Sequence, residues 1–169
     1  MANSTFSGPI RSESTLKTVS KNATTGVITE VTTIGDAPVS LADGNVTLTN
    51  ATHSGRVLLV PDGGQDNTYT LPAPIAGSVF RFVYAGGAAD ATDALIITPG
   101  NTNFYIGGVT FLDTDGNAIS SVFSNGSSNS SIQLNLPAGF DVTIVGLNTT
   151  NYQIFGNVTS TTVPAFADQ

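Results

Sequence analysis

Short apolar runs with a period of two residues, separated by turn residues, restrict this chain to β-structure. The clearest run is Ile132-Gln-Leu-Asn-Leu136, in which apolar and polar residues alternate, because successive side chains of a strand point to opposite faces of a sheet. Ser78-Val-Phe-Arg-Phe-Val-Tyr84 carries apolar residues on both faces, as a central strand does. About ten such runs follow residue 26, with turn signals between them. The pattern predicts an all-β fold: an antiparallel β-sandwich or jelly roll, with an extended N-terminal arm.

Glycine, proline and Asp/Asn pairs mark the ends of these runs. Asp115-Gly116 and Asn125-Gly126 are typical of tight hairpin turns, and Thr52-His-Ser-Gly55 predicts a hairpin turn between strands at Val46 and Val57. Gly107-Gly108 interrupts an apolar run and predicts a kink or bulge. The sequence shows no helical period and no repeat of fixed length.

The charge distribution divides the chain. The first 25 residues hold three basic residues and one acid, a net charge of +2, whereas residues 26–169 hold two basic residues and eleven acids, a net of −9. We therefore expect an extended N-terminal arm over residues 1–25, a β-sandwich body over residues 26–158 and an extended C-terminal tail over residues 159–169. The tail has one apolar anchor, Phe166, and either frays or lies across a neighbouring subunit.

Composition excludes several classes of function. The 169 residues suffice for one domain and an arm, and the net charge of −7 argues against nucleic acid as a partner. Cysteine is absent, so disulfides and thiolate metal sites are excluded. No apolar run approaches the roughly 18 residues of a membrane span, and no signal peptide is visible. We expect no membrane partner and synthesis in the cytoplasm.

Residues for catalysis are scarce. His53 is the only histidine, and a Ser-His-Asp triad would need it together with Ser54 and Asp62. No Gly-x-Ser-x-Gly motif accompanies them, so an exposed turn histidine is favoured. The aromatic residues could form a sugar-binding platform, but at strand spacing they are expected in the core: Phe80, Phe82, Tyr84, Phe104, Tyr105, Phe111, Tyr152 and Phe155. The sequence predicts no enzyme, no catalytic residues and no cofactor.

One segment suggests a metal site. Asp113, Asp115 and Asn117 alternate as the oxygen ligands of a calcium loop do, yet the glycine comes fourth where an EF-hand has it sixth. A hairpin turn with Asp115-Gly116 at its tip is the favoured interpretation, and the segment Pro61–Asp66 is interpreted in the same way. These three residues are therefore only weak candidates, and no metal is predicted.

The opening residues Met-Ala-Asn-Ser-Thr-Phe-Ser-Gly-Pro-Ile-Arg-Ser-Glu resemble the N-terminus of small virion proteins of marine tailed phages, especially cyanophages. The segment Tyr69–Gly77, the run Phe80-Arg-Phe-Val and the closing Pro-Ala-Phe-Ala-Asp are similar to the same family. The resemblance implies a capsid decoration (cement) protein on the outer surface of an HK97-fold shell, made in a bacterial host. Some members are instead fibre or knob components, for which host surface glycans are the expected ligand.

This resemblance and the charge pattern together assign a role to the arm. Phe6, Pro9, Ile10 and Leu16 would be apolar anchors on the major capsid protein, and Arg11, Lys17 and Lys21 would supply charge contacts. By analogy with the family, the chain is expected to form a homo-oligomer, with a trimer favoured.

Overall fold

The computed structural model of the chain describes residues 18–31, 37–87 and 89–169. The chain forms two compact units, Met1–Asp36 and Ala37–Gln169. One helix of a single turn is described, α1 (Asn50–His53). The described strands are β1 (Thr18–Lys21), β2 (Ile28–Val31), β3 (Val39–Ser40), β4 (Val46–Thr47), β5 (Arg56–Val60), β6 (Asn67–Thr70), β7 (Val79–Tyr84), β8 (Ala94–Ile97), β9 (Phe104–Asp113), β10 (Ile119–Phe123), β11 (Ser131–Leu134), β12 (Pro137–Gly146), β13 (Asn151–Ser160) and β14 (Ala165–Ala167).

The first unit contains an antiparallel hairpin of β1 and β2. Thr18 pairs with Val31 and Lys21 with Ile28. The Asn22 side-chain oxygen accepts the backbone amides of Thr24 and Thr25 at 2.9 and 3.0 Å, which closes the turn. The arm boundary predicted at residue 25 thus lies inside this turn.

The second unit is a β-sandwich of two sheets, which confirms the predicted all-β sandwich. The larger sheet has seven strands in the order β10-β9-β13-β12-β7-β5-β3, and the smaller has five in the order β14-β11-β8-β6-β4. As predicted for an apolar run on both faces, β7 lies inside its sheet, between β12 and β5. No helix among the described residues is long and apolar enough to cross a membrane.

The sheets are mixed, so the prediction that the sandwich is antiparallel is wrong. From β3 to β8 the chain changes sheet at every step, and each strand therefore runs parallel to the next strand in its own sheet. β3, β5 and β7 pair in parallel in the larger sheet, and β4, β6 and β8 pair in parallel in the smaller one. A period of two residues shows which face is buried but does not determine strand direction.

The predicted hairpin between Val46 and Val57 is also wrong. β4 and β5 lie in different sheets, and the connection between them is an arch that contains α1. The Thr49 side chain caps this helical turn by accepting the Thr52 amide. The turn residues of an arch and of a hairpin are the same, so the sequence does not distinguish them.

Aromatic residues fill the space between the sheets. Tyr69, Phe80, Phe82, Tyr105 and Tyr152 are fully buried. The ring of Tyr152 lies 6.3 Å from that of Phe80 and 6.4 Å from that of Tyr105, centroid to centroid. Their burial confirms the expectation that most aromatic residues belong to the core.

The C-terminal residues belong to the smaller sheet. β13 continues to Ser160, and β14 pairs with β11 in the register Ile132 to Phe166. The Phe166 ring contacts Tyr105 edge-on, with centroids 6.2 Å apart. The tail is therefore not frayed, because it adds an edge strand to the chain's own smaller sheet.

Candidate interaction surface

The outer face of the larger sheet carries an apolar patch. Side chains that alternate away from the core on β9, β10 and β13 lie side by side, since Leu112 pairs with Ile119 and Thr159 with Leu112. We define the apolar patch as the exposed apolar side chains on these three strands: Ile106, Leu112, Ile119, Phe123 and Phe155.

Ile119 and Phe123 are the two members of the apolar patch that are most exposed to solvent. Ile119 is 75% exposed and Phe123 is 71% exposed, and Phe155 is 49% exposed. Phe123 pairs with Gly108, where a side chain would collide with the Val122 carbonyl oxygen and the Phe123 ring. Because Gly108 has no side chain, the Phe123 ring lies against the sheet beside it and presents its other side to solvent.

β10, which carries Ile119 and Phe123 of the apolar patch, is an edge strand of the larger sheet. β10 is at the end of the strand order, and no other described strand pairs with its outer edge. Its sequence, Ile-Ser-Ser-Val-Phe, contains no charge and no proline. Natural proteins usually protect such an edge with lysine, proline or a covering segment. An unprotected edge next to exposed apolar side chains is typical of a surface that is covered in an assembly.

A shallow depression of about 360 Å³ lies at one end of the apolar patch. Its walls come from the ends of β9 and β13 and from the turn between β9 and β10. The lining residues are Leu112, Asp113, Thr114, Asn117, Ala118, Ile119 and Thr159. Its apolar floor and polar rim could receive one apolar side chain of a partner.

The same face of the sheet carries one ion pair. Arg81 Nε donates to Asp141 Oδ1 at 2.8 Å, and Nη2 donates to Oδ2 at 2.5 Å. The hydrogen bonds from Arg81 hold the pKa of Asp141 below its usual value, although partial burial of the carboxyl works in the opposite direction. The two charges satisfy each other. Asp113, at the end of β9, is the one charged residue among the described strands β9, β10 and β13.

Most predicted anchors lie outside the described residues. These are Phe6, Pro9, Ile10, Arg11, Leu16 and Lys17. Lys21 is described at its backbone, as the last residue of β1, where it pairs with Ile28. The role of the arm in anchoring stays a prediction.

The weak metal candidates occupy the hairpin turn that the sequence favoured. β9 and β10 pair in antiparallel fashion on either side of it. Asp113 Oδ1 accepts the Asp115 amide at 3.0 Å, and Asn117 adopts a left-handed backbone with φ of 51°. No group of three or more His, Cys, Asp or Glu side chains in the described ranges is arranged around a metal position.

His53 has a structural role in α1. Its Nδ1 accepts the Thr49 amide at 3.0 Å and lies 2.7 Å from the Thr52 hydroxyl. The Ser54 hydroxyl accepts the Val79 amide at 3.1 Å and so faces β7. His53 and Ser54 thus each stabilise the arch between β4 and β5, through contacts that differ from those of a catalytic triad.

Sequence reasoning did not identify the apolar patch. The segment Ile119–Phe123 does not reveal which of its faces is buried, because the neighbours Val122 and Phe123 are both apolar. In the structure, Val122 packs against the core and Phe123 faces solvent. The signal that could have found the patch is the charge-free edge sequence itself.

Comparisons with known proteins add no assignment. No protein-family model, no curated protein and no solved structure matches the chain.

Proposed function

We propose that the chain is a non-enzymatic structural protein of a phage virion: a capsid decoration (cement) protein that binds the outer surface of the shell and stabilises it. Its partners are the major capsid protein and other copies of itself, with a trimer as the favoured oligomer. Its place is the outer capsid surface, after synthesis in the bacterial cytoplasm.

The observation that carries this proposal is the apolar patch beside the unprotected edge of β10. A strand edge offers backbone hydrogen bonds to a partner, and the exposed Ile119 and Phe123 offer apolar area next to it. Both features are costly for a protein that stays alone in water, because they favour aggregation. They fit a protein that works in a dense, ordered assembly.

The arm and the apolar patch would act together on a shell. The arm residues before β1 include the apolar anchors and two of the basic residues, Arg11 and Lys17. Ordering a segment on contact costs conformational entropy. Attachment through an arm and a body surface at once makes the second contact intramolecular, which offsets that cost.

Copy number distinguishes this proposal from its alternatives. In purified particles of a tailed phage that encodes the chain, quantitative mass spectrometry should find it in amounts comparable to the major capsid protein. A few copies per particle would indicate a fibre component instead. Absence from the particle would overturn the assignment to the virion.

A pair of matched variants tests the surface. Ile119→Thr with Phe123→Ser should weaken binding to particles that lack the chain, while the urea unfolding midpoint stays unchanged, because both side chains are exposed. The control is Ile75→Thr with Val163→Ser, which alters side chains that are 55% and 52% exposed and that lie in the β6–β7 and β13–β14 loops, outside the strands of the patch. Equal binding by both double variants would exclude the patch, and a chain shortened by residues 2–20 would then test the arm alone.

A fibre or knob module that binds host glycans is the alternative function. It is favoured by the two exposed aromatic rings of the apolar patch, Phe123 and Phe155, since aromatic faces can stack on sugar rings. A glycan array would support it if binding were lost in Phe123→Ser and retained in Ile75→Thr.

A further inference from the structure

Three loops of the sandwich meet around Gly63. They are the β3–β4, β5–β6 and β7–β8 connections, and each contributes a carboxylate or an amide to a shared hydrogen-bond network. Asp43 Oδ2 accepts the Gly64 amide at 3.1 Å, and Asp90 Oδ2 accepts the Gly63 amide at 3.0 Å. Two aspartates from different loops therefore bind adjacent residues of a third loop.

Oxygen atoms crowd this position. Asp90 Oδ1 accepts the Thr92 hydroxyl at 2.8 Å, and that hydroxyl lies 3.3 Å from the Gly63 carbonyl oxygen. Asn67 Nδ2 donates to Asp43 Oδ1 at 3.2 Å. A side chain at Gly63 would lie only 2.8 Å from Asn67 Nδ2 and 2.9 Å from Thr92 Oγ1. The carboxylates, the amide, the hydroxyl and the carbonyl thus belong to one hydrogen-bond network around Gly63.

Two buried polar atoms at this place have no hydrogen-bond partner within the described part of the chain. They are Asn67 Oδ1 and the Tyr69 hydroxyl, in residues that are 3% and 0% exposed. Tyr69 interacts electrostatically with Asp43 and Asp90, so its hydroxyl lies near both carboxylates. Unpartnered buried polar atoms are rare in native proteins and indicate a missing ligand or water.

The negative charge here has no described counter-ion. The described cationic side chains are engaged elsewhere, since Arg81 pairs with Asp141 and Arg56 donates to the carbonyl oxygens of Ala37 and Thr52. Asp62 and Asp66 lie on the same β5–β6 loop. The two carboxylates accept hydrogen bonds only from neutral amide and hydroxyl donors among the described residues, so their charge stays unneutralised and favours a cation.

We infer that the meeting point of the loops around Gly63 binds one hard divalent cation, with Ca²⁺ as the favoured ion. The ligands are Asp43, Asp90 and the Asn67 side-chain oxygen. The ion would link the β3–β4 and β7–β8 loops to the start of β6, in addition to the hydrogen bonds that join them here.

The donor set suits calcium. Ca²⁺ accepts carboxylate, amide and backbone carbonyl oxygens at 2.3–2.6 Å, in flexible geometry and with water filling the remaining positions. Two carboxylates with neutral oxygens can therefore suffice where three acidic side chains do not meet. A half-turn of the Asn67 amide would place its oxygen beside Asp43 Oδ1, and neighbouring oxygens around Ca²⁺ lie about 3 Å apart. Asp43 is exposed, so an ion can enter from solvent.

Terbium luminescence and thermal unfolding of the full chain test the inference. Tb³⁺ replaces Ca²⁺ at oxygen sites and emits when a nearby tyrosine is excited, so Tyr69 is a built-in sensor. We expect tyrosine-sensitised Tb³⁺ emission that Ca²⁺ displaces. We also expect the unfolding midpoint to rise by several degrees with Ca²⁺ relative to EDTA.

Matched Asp→Asn variants locate the ion. Asp43→Asn and Asp90→Asn should weaken Ca²⁺ binding by about tenfold or more, because each removes one ligand charge. Asp113→Asn, in the β9–β10 turn, is the control and should bind as the unaltered chain does. If Asp90→Asn fails to fold, the exposed Asp43→Asn still decides the question. Asn67→Asp adds a ligand charge and should tighten binding.

Three results would overturn the inference. One is the absence of any calcium effect on unfolding together with no sensitised emission, which would leave only a buried water at Asn67 and Tyr69. Another is equal weakening by Asp43→Asn and Asp113→Asn, which would indicate diffuse ion binding to an acidic surface. The third is unchanged binding in Asn67→Asp and Asp43→Asn alike.

Discussion

Gln169 donates its side-chain amide to the backbone carbonyl oxygen of Thr98 at 2.8 Å. The same amide nitrogen donates to the Ser130 carbonyl oxygen at 2.9 Å, and the Gln169 backbone amide donates to the Ser130 hydroxyl. Thr98 and Ser130 are fully buried. The Gln169 side chain thus donates to two carbonyl groups, of which one directly follows β8 and the other directly precedes β11.

Replacing Gln169 by Ala should destabilise the sandwich by about 1–3 kcal/mol, because the Thr98 carbonyl oxygen would lose its Gln169 donor, whereas the Ser130 carbonyl oxygen would keep the Thr98 amide. The urea unfolding midpoint measures the change. Gln153→Ala is the matched control, since Gln153 is exposed on β13 and should tolerate the change. Equal stability of the two variants would show that the C-terminal segment does not hold the sheet.

Much of the fold follows from the sequence, because the alternation of apolar and polar residues shows which side chains of a strand are buried. The strand around Phe80 and Phe82 and the strand Ile132–Leu134 were predicted from apolar periodicity, and both are in the core. Strand direction was not predictable, because parallel pairing of β5 with β7 depends on which sheet the chain enters after each turn. The incorporation of Phe166 into the smaller sheet depends on contacts with Tyr105, about 60 residues away.

The surface features were harder to predict than the core. Alternating spacing suggested the metal candidates Asp113, Asp115 and Asn117, whereas Asp43, Asp90 and Asn67 come together only in the folded chain. Their positions in two separate loops and at the start of β6 leave no spacing signature in the sequence. The apolar patch was hidden for a related reason, because apolar residues occur on both faces of β10.

Gly107 allows β9 to pass close to β13. Its φ of 99° is unfavourable for residues with a side chain, and an added Cβ would lie 2.5 Å from the Ile154 carbonyl oxygen. The predicted kink at Gly107-Gly108 corresponds to an interruption of the pairing between Ile154 and Asn157. Gly107→Ala should therefore cost about 3 kcal/mol or more in unfolding free energy.

Gly139→Ala on β12 is the comparison for this change. Nothing lies within 4 Å of a Cβ there, and its φ is not positive, so we expect an effect close to zero. Chemical denaturation of both variants measures the difference. A small effect at Gly107 would mean that β9 can shift away from β13 at little cost.

The ion pair of Arg81 and Asp141 predicts a specific acid response. Because the folded-state pKa of Asp141 is lowered, its contribution to stability is present above the unfolded-state pKa of about 3.9 and is lost as pH falls through the folded-state value. Arg81→Gln should return the Asp141 pKa towards its usual value, as measured by NMR titration of its carboxyl carbon. Arg56→Gln is the control, because Arg56 contacts backbone carbonyl oxygens. An unchanged Asp141 pKa in Arg81→Gln would show that the pair does not persist in solution.

All four tyrosines of the chain should resist ionisation in the folded protein. Burial raises the pKa of Tyr69 and of Tyr84 to about 12, and burial also raises the pKa of Tyr105 and of Tyr152. Since the unfolded-state value is about 10, the stability that these groups contribute is complete below pH 10 and declines as pH rises above it. Absorbance titration of the folded chain should therefore show little phenolate near pH 10, followed by a joint rise as the sandwich unfolds. The same titration in urea should show four ordinary tyrosines, and an ordinary transition in the absence of urea would contradict the burial of Tyr105 and Tyr152.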